Sequence, residues 1–278
     1  MKTRGFISRS AAVDGGKIHY TIGGSGPAVL LLHGFAETSR MWTPLLPILG
    51  AKFTVVAPDL PGIGDSSIPR GEIGMKRAAI MMHELVRLLG IEKARIVGHD
   101  IGLMVAYAYA ALFPSETEKL AVMDAFLPGV RGWEPIYNAP TYWHFRFNGP
   151  TAEALVKGRE SVYFAYFWDG LAADKKRSIA KADRRAYVAA YSRPKRMGAS
   201  WEYFVSWAQA AKDFEQMSQT KLTMPVLSIG GDKSLGEALG AQMKLVAENV
   251  TVVIVKDSGH WILEEQPKPT TEALVSFL

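Results

Sequence analysis

Short apolar runs recur along the chain, separated by stretches of helical period. Residues 28–32, 53–57, 94–97, 119–123, 225–229 and 250–255 are such runs. Each is too short for a buried helix and is bounded by turn residues, so each predicts a strand covered on both faces. Residues 17–21 alternate and predict an earlier strand, with Gly23-Gly24-Ser25-Gly26-Pro27 as the turn after it. Residues 75–90 carry apolar positions at helical spacing, and Gly90 is placed to cap that helix. Short strands alternating with helices predict an α/β chain: a mostly parallel central sheet with helices on both sides.

The pattern changes between about residue 126 and residue 223, where aromatics are frequent and no buried strand is evident. This stretch reads as a helical cap inserted between two sheet strands. The expected organisation is a core domain made of residues 1–125 and 224–278, with a cap of residues 126–223. No internal repeat or low-complexity segment interrupts it.

Composition narrows the function classes. A chain of 278 residues, 48% hydrophobic and 21% charged, can bury a large core. The net charge of +5 is modest, and the basic cluster between Asp174 and Arg196 reads as a solvated helical face. No basic stripe interleaved with aromatics points to nucleic acid. No apolar run approaches the roughly 20 residues of a membrane helix. There is no cysteine, so thiol chemistry is absent. The first residues lack the apolar core of a signal peptide, which predicts a cytoplasmic chain as written, or a periplasmic or secreted one if a leader has been trimmed. No metal-ligand motif such as H-E-x-x-H occurs, so neither a metal nor an organic cofactor is expected, and the partner is a small-molecule substrate.

The chemistry concentrates in Gly98-His99-Asp100-Ile101-Gly102. An apolar run precedes it and Leu103-Met104-Val105-Ala106 follows, giving a strand, a sharp turn and a helix. The spacing is that of a nucleophile elbow, with Asp100 where serine is usual. A carboxylate, already ionised at neutral pH, can displace a leaving group at saturated carbon and form an ester that water must then hydrolyse. His260, in Asp257-Ser258-Gly259-His260-Trp261 after the last apolar run, is the expected base for that water. Two carboxylates compete to orient it: Asp124, at the end of residues 119–123, and Asp232, in Gly230-Gly231-Asp232-Lys233. The loop His33-Gly34-Phe35 should aim the Phe35 amide at an oxyanion, with the Ile101 amide as its partner. His33 and His99 read as structural histidines with satisfied hydrogen bonds.

The ordered set His33-Gly34-Phe35, residues 59–66, residues 98–102, Met123-Asp124 and Gly259-His260-Trp261 resembles the α/β-hydrolase superfamily, in its epoxide hydrolase and dehalogenase branch. Trp143-His144-Phe145 and Ala199-Ser200-Trp201-Glu202-Tyr203 bring it nearest the Cif-type bacterial epoxide hydrolases. The resemblance implies hydrolysis of a neutral, fairly apolar epoxide to a vicinal diol through an Asp100 ester, with Asp124 favoured as the acid. It implies that His144 supports the departing oxygen. A pocket wall that includes Trp42, Trp143, Phe145, Phe164, Tyr203, Phe204 and Trp261 is expected. The resemblance also raises a homodimer as an assembly, for which the residues give no separate signal.

The sequence departs from the pattern at Phe204, which stands where such enzymes carry a second hydroxyl donor; Tyr203 is one position early. Tyr163 and Tyr166 are the other hydroxyls weighed for that part. The alternative reading is a haloalkane or haloacetate dehalogenase using the same Asp-His-Asp set. Against it, Ile101 replaces the tryptophan expected after a haloalkane-type nucleophile, and Leu103, Met104 and Val105 offer no clamp for a haloacid carboxylate. A binding protein without catalysis is the third reading, and the joint presence of nucleophile, base and acid argues against it.

Overall fold

A computed structural model describes residues 5–278. Eight strands form one sheet: β1 (Phe6–Val13), β2 (Gly16–Gly24), β3 (Ala28–Leu32), β4 (Thr54–Pro58), β5 (Ala94–His99), β6 (Thr117–Met123), β7 (Val226–Gly231) and β8 (Val250–Val255). Their order is β1-β2-β4-β3-β5-β6-β7-β8, antiparallel at β1/β2 and β2/β4 and parallel elsewhere. This is the mostly parallel α/β sheet that the alternation of short runs predicts. β1 is the strand not foreseen. It lies at the sheet's edge with mostly exposed residues, so it carries no apolar run to mark it.

The central strands are buried on both faces. Val29 and Leu31 pack towards Trp42, Leu45 and Leu49, while Leu30 and Leu32 join the cluster on the opposite face. Helix Met75–Leu88 lays Ala78, Ala79, Met82 and Leu85 against that second cluster, at the predicted three-to-four spacing. Helix Ile101–Leu112 is buried along nearly its whole length, which explains why its sequence is apolar on all sides.

Between β6 and β7 the chain leaves the sheet and forms a helical region. It comprises two short segments, Glu134–Tyr137 and Pro140–Arg146, followed by helices Gly149–Val156, Glu160–Gly170, Lys181–Tyr191, Arg196–Val205 and Trp207–Met217. This cap sits over the carboxyl ends of the strands, where ligands bind in parallel α/β sheets. Polar bonds tie it down around its rim. The His260 amide donates to the Leu171 carbonyl at 2.8 Å, and Trp261 Nε1 to the Phe167 carbonyl at 3.1 Å. Trp168 Nε1 donates to Ala36, the Tyr191 hydroxyl to Glu37 and the Tyr203 hydroxyl to Pro61, each at a backbone carbonyl. Among the described residues no helix is long and apolar enough to cross a membrane.

Candidate active site

The elbow is built as its glycines require. Asp100 has φ 52° and ψ −123°, a conformation that side chains other than glycine adopt only under constraint. The constraint is close packing of backbone. A Cβ on Gly98 would lie 2.3 Å from the Gly102 carbonyl oxygen, and one on Gly102 would lie 2.4 Å from that of Leu32. With both side chains absent, the turn can close between β5 and the helix, and it lifts the Asp100 carboxylate above the sheet.

The two oxygens of that carboxylate have different surroundings. Oδ1 accepts from the Phe35 amide at 2.7 Å. Oδ2 faces His260, with Nε2 3.7 Å away. The Ile101 amide, which opens the helix, donates to neither oxygen, so of the two expected oxyanion donors only Phe35 is engaged.

His260 Nδ1 donates to Asp124 Oδ1 at 3.1 Å. Asp124 is fully buried at the end of β6, with φ 42°, and is fixed by the Ser234 hydroxyl at 2.6 Å and the Gly231 amide at 2.7 Å. Asp232 is not in this set. It accepts from the Ser258 amide at 3.2 Å and pairs with Lys233 at 3.3 Å. It braces the loop that carries His260 and does not touch the ring. Burial opposes the charged form of His260, but the Asp124 bond and the Asp100 charge outweigh it and push the ring up to about 9.

The structural histidines have the partners expected of them. His33 Nε2 accepts from the Leu60 amide at 2.9 Å and Nδ1 donates to the Gly34 carbonyl at 2.8 Å. His99 Nε2 donates to the His260 carbonyl at 3.0 Å, which steadies the neighbouring loop. Its Nδ1 accepts from Glu37 at 3.2 Å; burial pushes that carboxyl up to about 8, so it carries the proton at neutral pH. Glu37 was not singled out from the sequence, where nothing distinguishes it from a surface glutamate.

Above Asp100 lies a small cavity, about 30 Å³ open to the centre of a water molecule. Asp100, Asp124, His260, His144 and Tyr142 supply its polar groups, and Met104, Phe126, Phe145, Leu171, Trp207 and Leu235 most of its apolar wall. No lysine or arginine lines it among the described residues. His144 Nδ1 is buried without a partner. Burial, joined by the His260 charge, pushes this ring down to about 3, so it is neutral at neutral pH. A larger groove of about 600 Å³ runs between helices Met75–Leu88 and Trp207–Met217 and holds none of these groups.

Several expected wall residues stand elsewhere. Trp143 turns outward, 39% exposed, against Tyr166. Tyr203 is fully buried and bonded to Pro61, and Trp261 is held by Phe167. Phe204 packs on Phe35 at 4.8 Å and His144 at 5.4 Å, behind the cavity surface. Phe164 packs with Tyr191 and Phe35, and Trp42 belongs to the cluster under the sheet. Met104 was not named as a wall residue, although it had a local signal: it lies one helical turn beyond Asp100 on the same face. Trp207 and Leu235 had no local signal.

Comparison with known proteins agrees with this fold. The family described as alpha/beta hydrolase fold matches residues 27–267. A soluble epoxide hydrolase of Corynebacterium sp. (strain C12) is 31% identical over 274 residues, spanning 96% of this chain and 95% of its own. A fluoroacetate dehalogenase of a Burkholderia species is 34% identical over 183 residues, 61% of this chain and 60% of its own. The Cif epoxide hydrolase from Acinetobacter nosocomialis superposes with a TM-score of 0.91 at 25% identity, covering 100% of this chain and 90% of its own. The chain belongs to the α/β-hydrolase superfamily, as a hydrolase of the epoxide hydrolase and dehalogenase branch.

Proposed function

We propose that this protein hydrolyses a small, neutral, apolar epoxide to a vicinal diol through an ester on Asp100. The observation that carries the reading is the unequal setting of the Asp100 oxygens: Oδ1 held by the Phe35 amide, Oδ2 free on the His260 side. In this mechanism Oδ2 attacks an epoxide carbon, and His144 hydrogen-bonds the oxygen as the carbon–oxygen bond breaks. Oδ1 becomes the ester carbonyl and already has an amide donor for the charge that develops when water adds.

The raised pKa of His260 fits this sequence of steps. In the free enzyme the ring faces two carboxylates and holds a proton, which makes it a poor base. Esterification removes the Asp100 charge, weakens the ring's hold on its proton and readies it to activate water. The base is thus recruited by the first half-reaction.

The apolar wall supports a neutral substrate over a haloacid. A carboxylate placed here would meet Asp100 and Asp124, no lysine or arginine lines the cavity to clamp it, and the His260 proton is already held between those two carboxylates. The test is a single turnover of 1,2-epoxybutane in heavy-oxygen water with enzyme in excess. The expected result is one heavy oxygen in the Asp100 side chain and none in the diol. Label found directly in the diol would overturn the covalent route.

A further inference from the structure

His144 and Tyr142 both line the cavity, although they are two residues apart. In a continuous helix that spacing sends side chains to different faces. Segment Pro140–Arg146 is not continuous: Tyr142 breaks it, with φ −102° and ψ 32°. The kink brings both rings to the same space. Tyr142 is braced there by stacking on Phe145, with centroids 5.2 Å apart and planes within 6°, and Phe145 is wedged against Trp207 at 4.3 Å.

The neighbouring tyrosine hydroxyls are bonded to other groups, away from the cavity lining. Tyr166 donates to the Thr141 carbonyl, Tyr203 to Pro61 and Tyr191 to Glu37, and Tyr163 accepts from Trp201 Nε1. The Tyr142 hydroxyl takes part in no such bond among the described residues. Neither Tyr163 nor Tyr166 lines the cavity, so neither is placed to be the second donor that Phe204 cannot be.

We propose that Tyr142 is the catalytic acid of ring opening, a role that rests on the epoxide reading of the site. His144, being neutral, can offer a hydrogen bond, but a neutral imidazole is a weaker acid than a phenol. Burial, with the Asp124 and Asp100 charges, pushes Tyr142 up to about 12, so it enters each turnover protonated. As Asp100 Oδ2 bonds to the epoxide carbon, the ring carbon–oxygen bond breaks and its electron pair stays on oxygen. That oxygen takes the Tyr142 proton, leaving a phenolate. With the Asp100 charge gone, His260 passes its own proton to the phenolate and becomes neutral. Water then adds to the ester carbon and gives a proton to His260. Collapse delivers that proton to the departing diol oxygen, and the proton Asp100 sheds as it ionises again returns to His260.

The test uses His260→Gln, in which the ester should accumulate, with intact mass as the readout and 1,2-epoxybutane as the probe. Adding Tyr142→Phe should slow ester formation by about 10²-fold or more, within the range of acid catalysis. With 1-bromobutane, whose bromide leaves without a proton, the same change should cost less than about threefold, a benchmark set well below that range. Unchanged ester formation from the epoxide would overturn the assignment of Tyr142 alone. So would an equal loss with both probes, which would mark the ring as packing. No ester from either probe in His260→Gln itself would overturn the epoxide reading and this assignment together.

Discussion

The Phe35 amide donates to Asp100 Oδ1 at 2.7 Å, while the Phe35 ring lies within 6.5 Å, centroid to centroid, of six cap rings: His144, Tyr163, Phe164, Phe167, Tyr191 and Phe204. One residue therefore links the nucleophile to the cap. Its backbone serves the carboxylate, and its side chain sets where that backbone stands.

Phe35→Ala should lower stability by about 3–5 kcal/mol, the usual cost of emptying a buried aromatic site. The amide survives the substitution, so a loss of single-turnover rate in fully folded variant would report its displacement. Urea denaturation and a rate measured well below the unfolding transition separate the two effects. A rate equal to that of the parent would show that the loop holds its amide without the ring.

Asp124→Asn should reduce kcat by about 10⁴-fold, as loss of the orienting carboxylate does in triads of this kind. Asp232→Asn should cost less than about tenfold, because Asp232 bonds the Ser258 amide and Lys233 and does not reach the His260 ring. Steady-state kinetics on the two variants decides between the carboxylates, and the reverse ranking would exchange their roles.

His260 should titrate near 9 in the folded protein and lower in Asp100→Asn, which removes a facing carboxylate much as esterification does. Ring resonances followed by NMR give both values. The stability linkage has a definite sign. A folded-state pKa above the ordinary 6.5 favours the native state fully below about pH 6.5, and the contribution is lost as pH rises through about 9. Denaturation of parent and His260→Gln should therefore differ most on the acid side of that window and converge above it.

The parts of the site that follow from local order were legible in the sequence. Glycines at 98 and 102 around an acid, between an apolar run and a helix, announce the elbow because backbone crowding there admits nothing larger. The histidine after the last strand is equally local. The residue pattern alone left Asp124 and Asp232 open, since both follow parallel strands; the resemblance favoured Asp124, and the His260 ring bonds to Asp124 and not to Asp232. Tyr142 escaped for a different reason: its place depends on a single non-helical residue inside a helical turn. Aromatic content marked the cap without saying which rings face inward, so Trp143 was expected in the wall and lies outside, while Trp207 was overlooked and lies within.

Gly98→Ala should fail to accommodate the elbow. The added methyl would stand 2.3 Å from a backbone oxygen that cannot move without unwinding the first turn of the following helix. We expect a loss of about 3 kcal/mol or more, read by chemical denaturation. A variant as stable as the parent would mean that the turn tolerates a wider path.

The bond from the His260 amide to the Leu171 carbonyl fastens the base to the very layer that roofs the substrate. Asp124 and His99 hold the same residue from the sheet side, so the base stands where the two layers are stitched together, and the wall that shapes the cavity and the ring that serves it share one anchor.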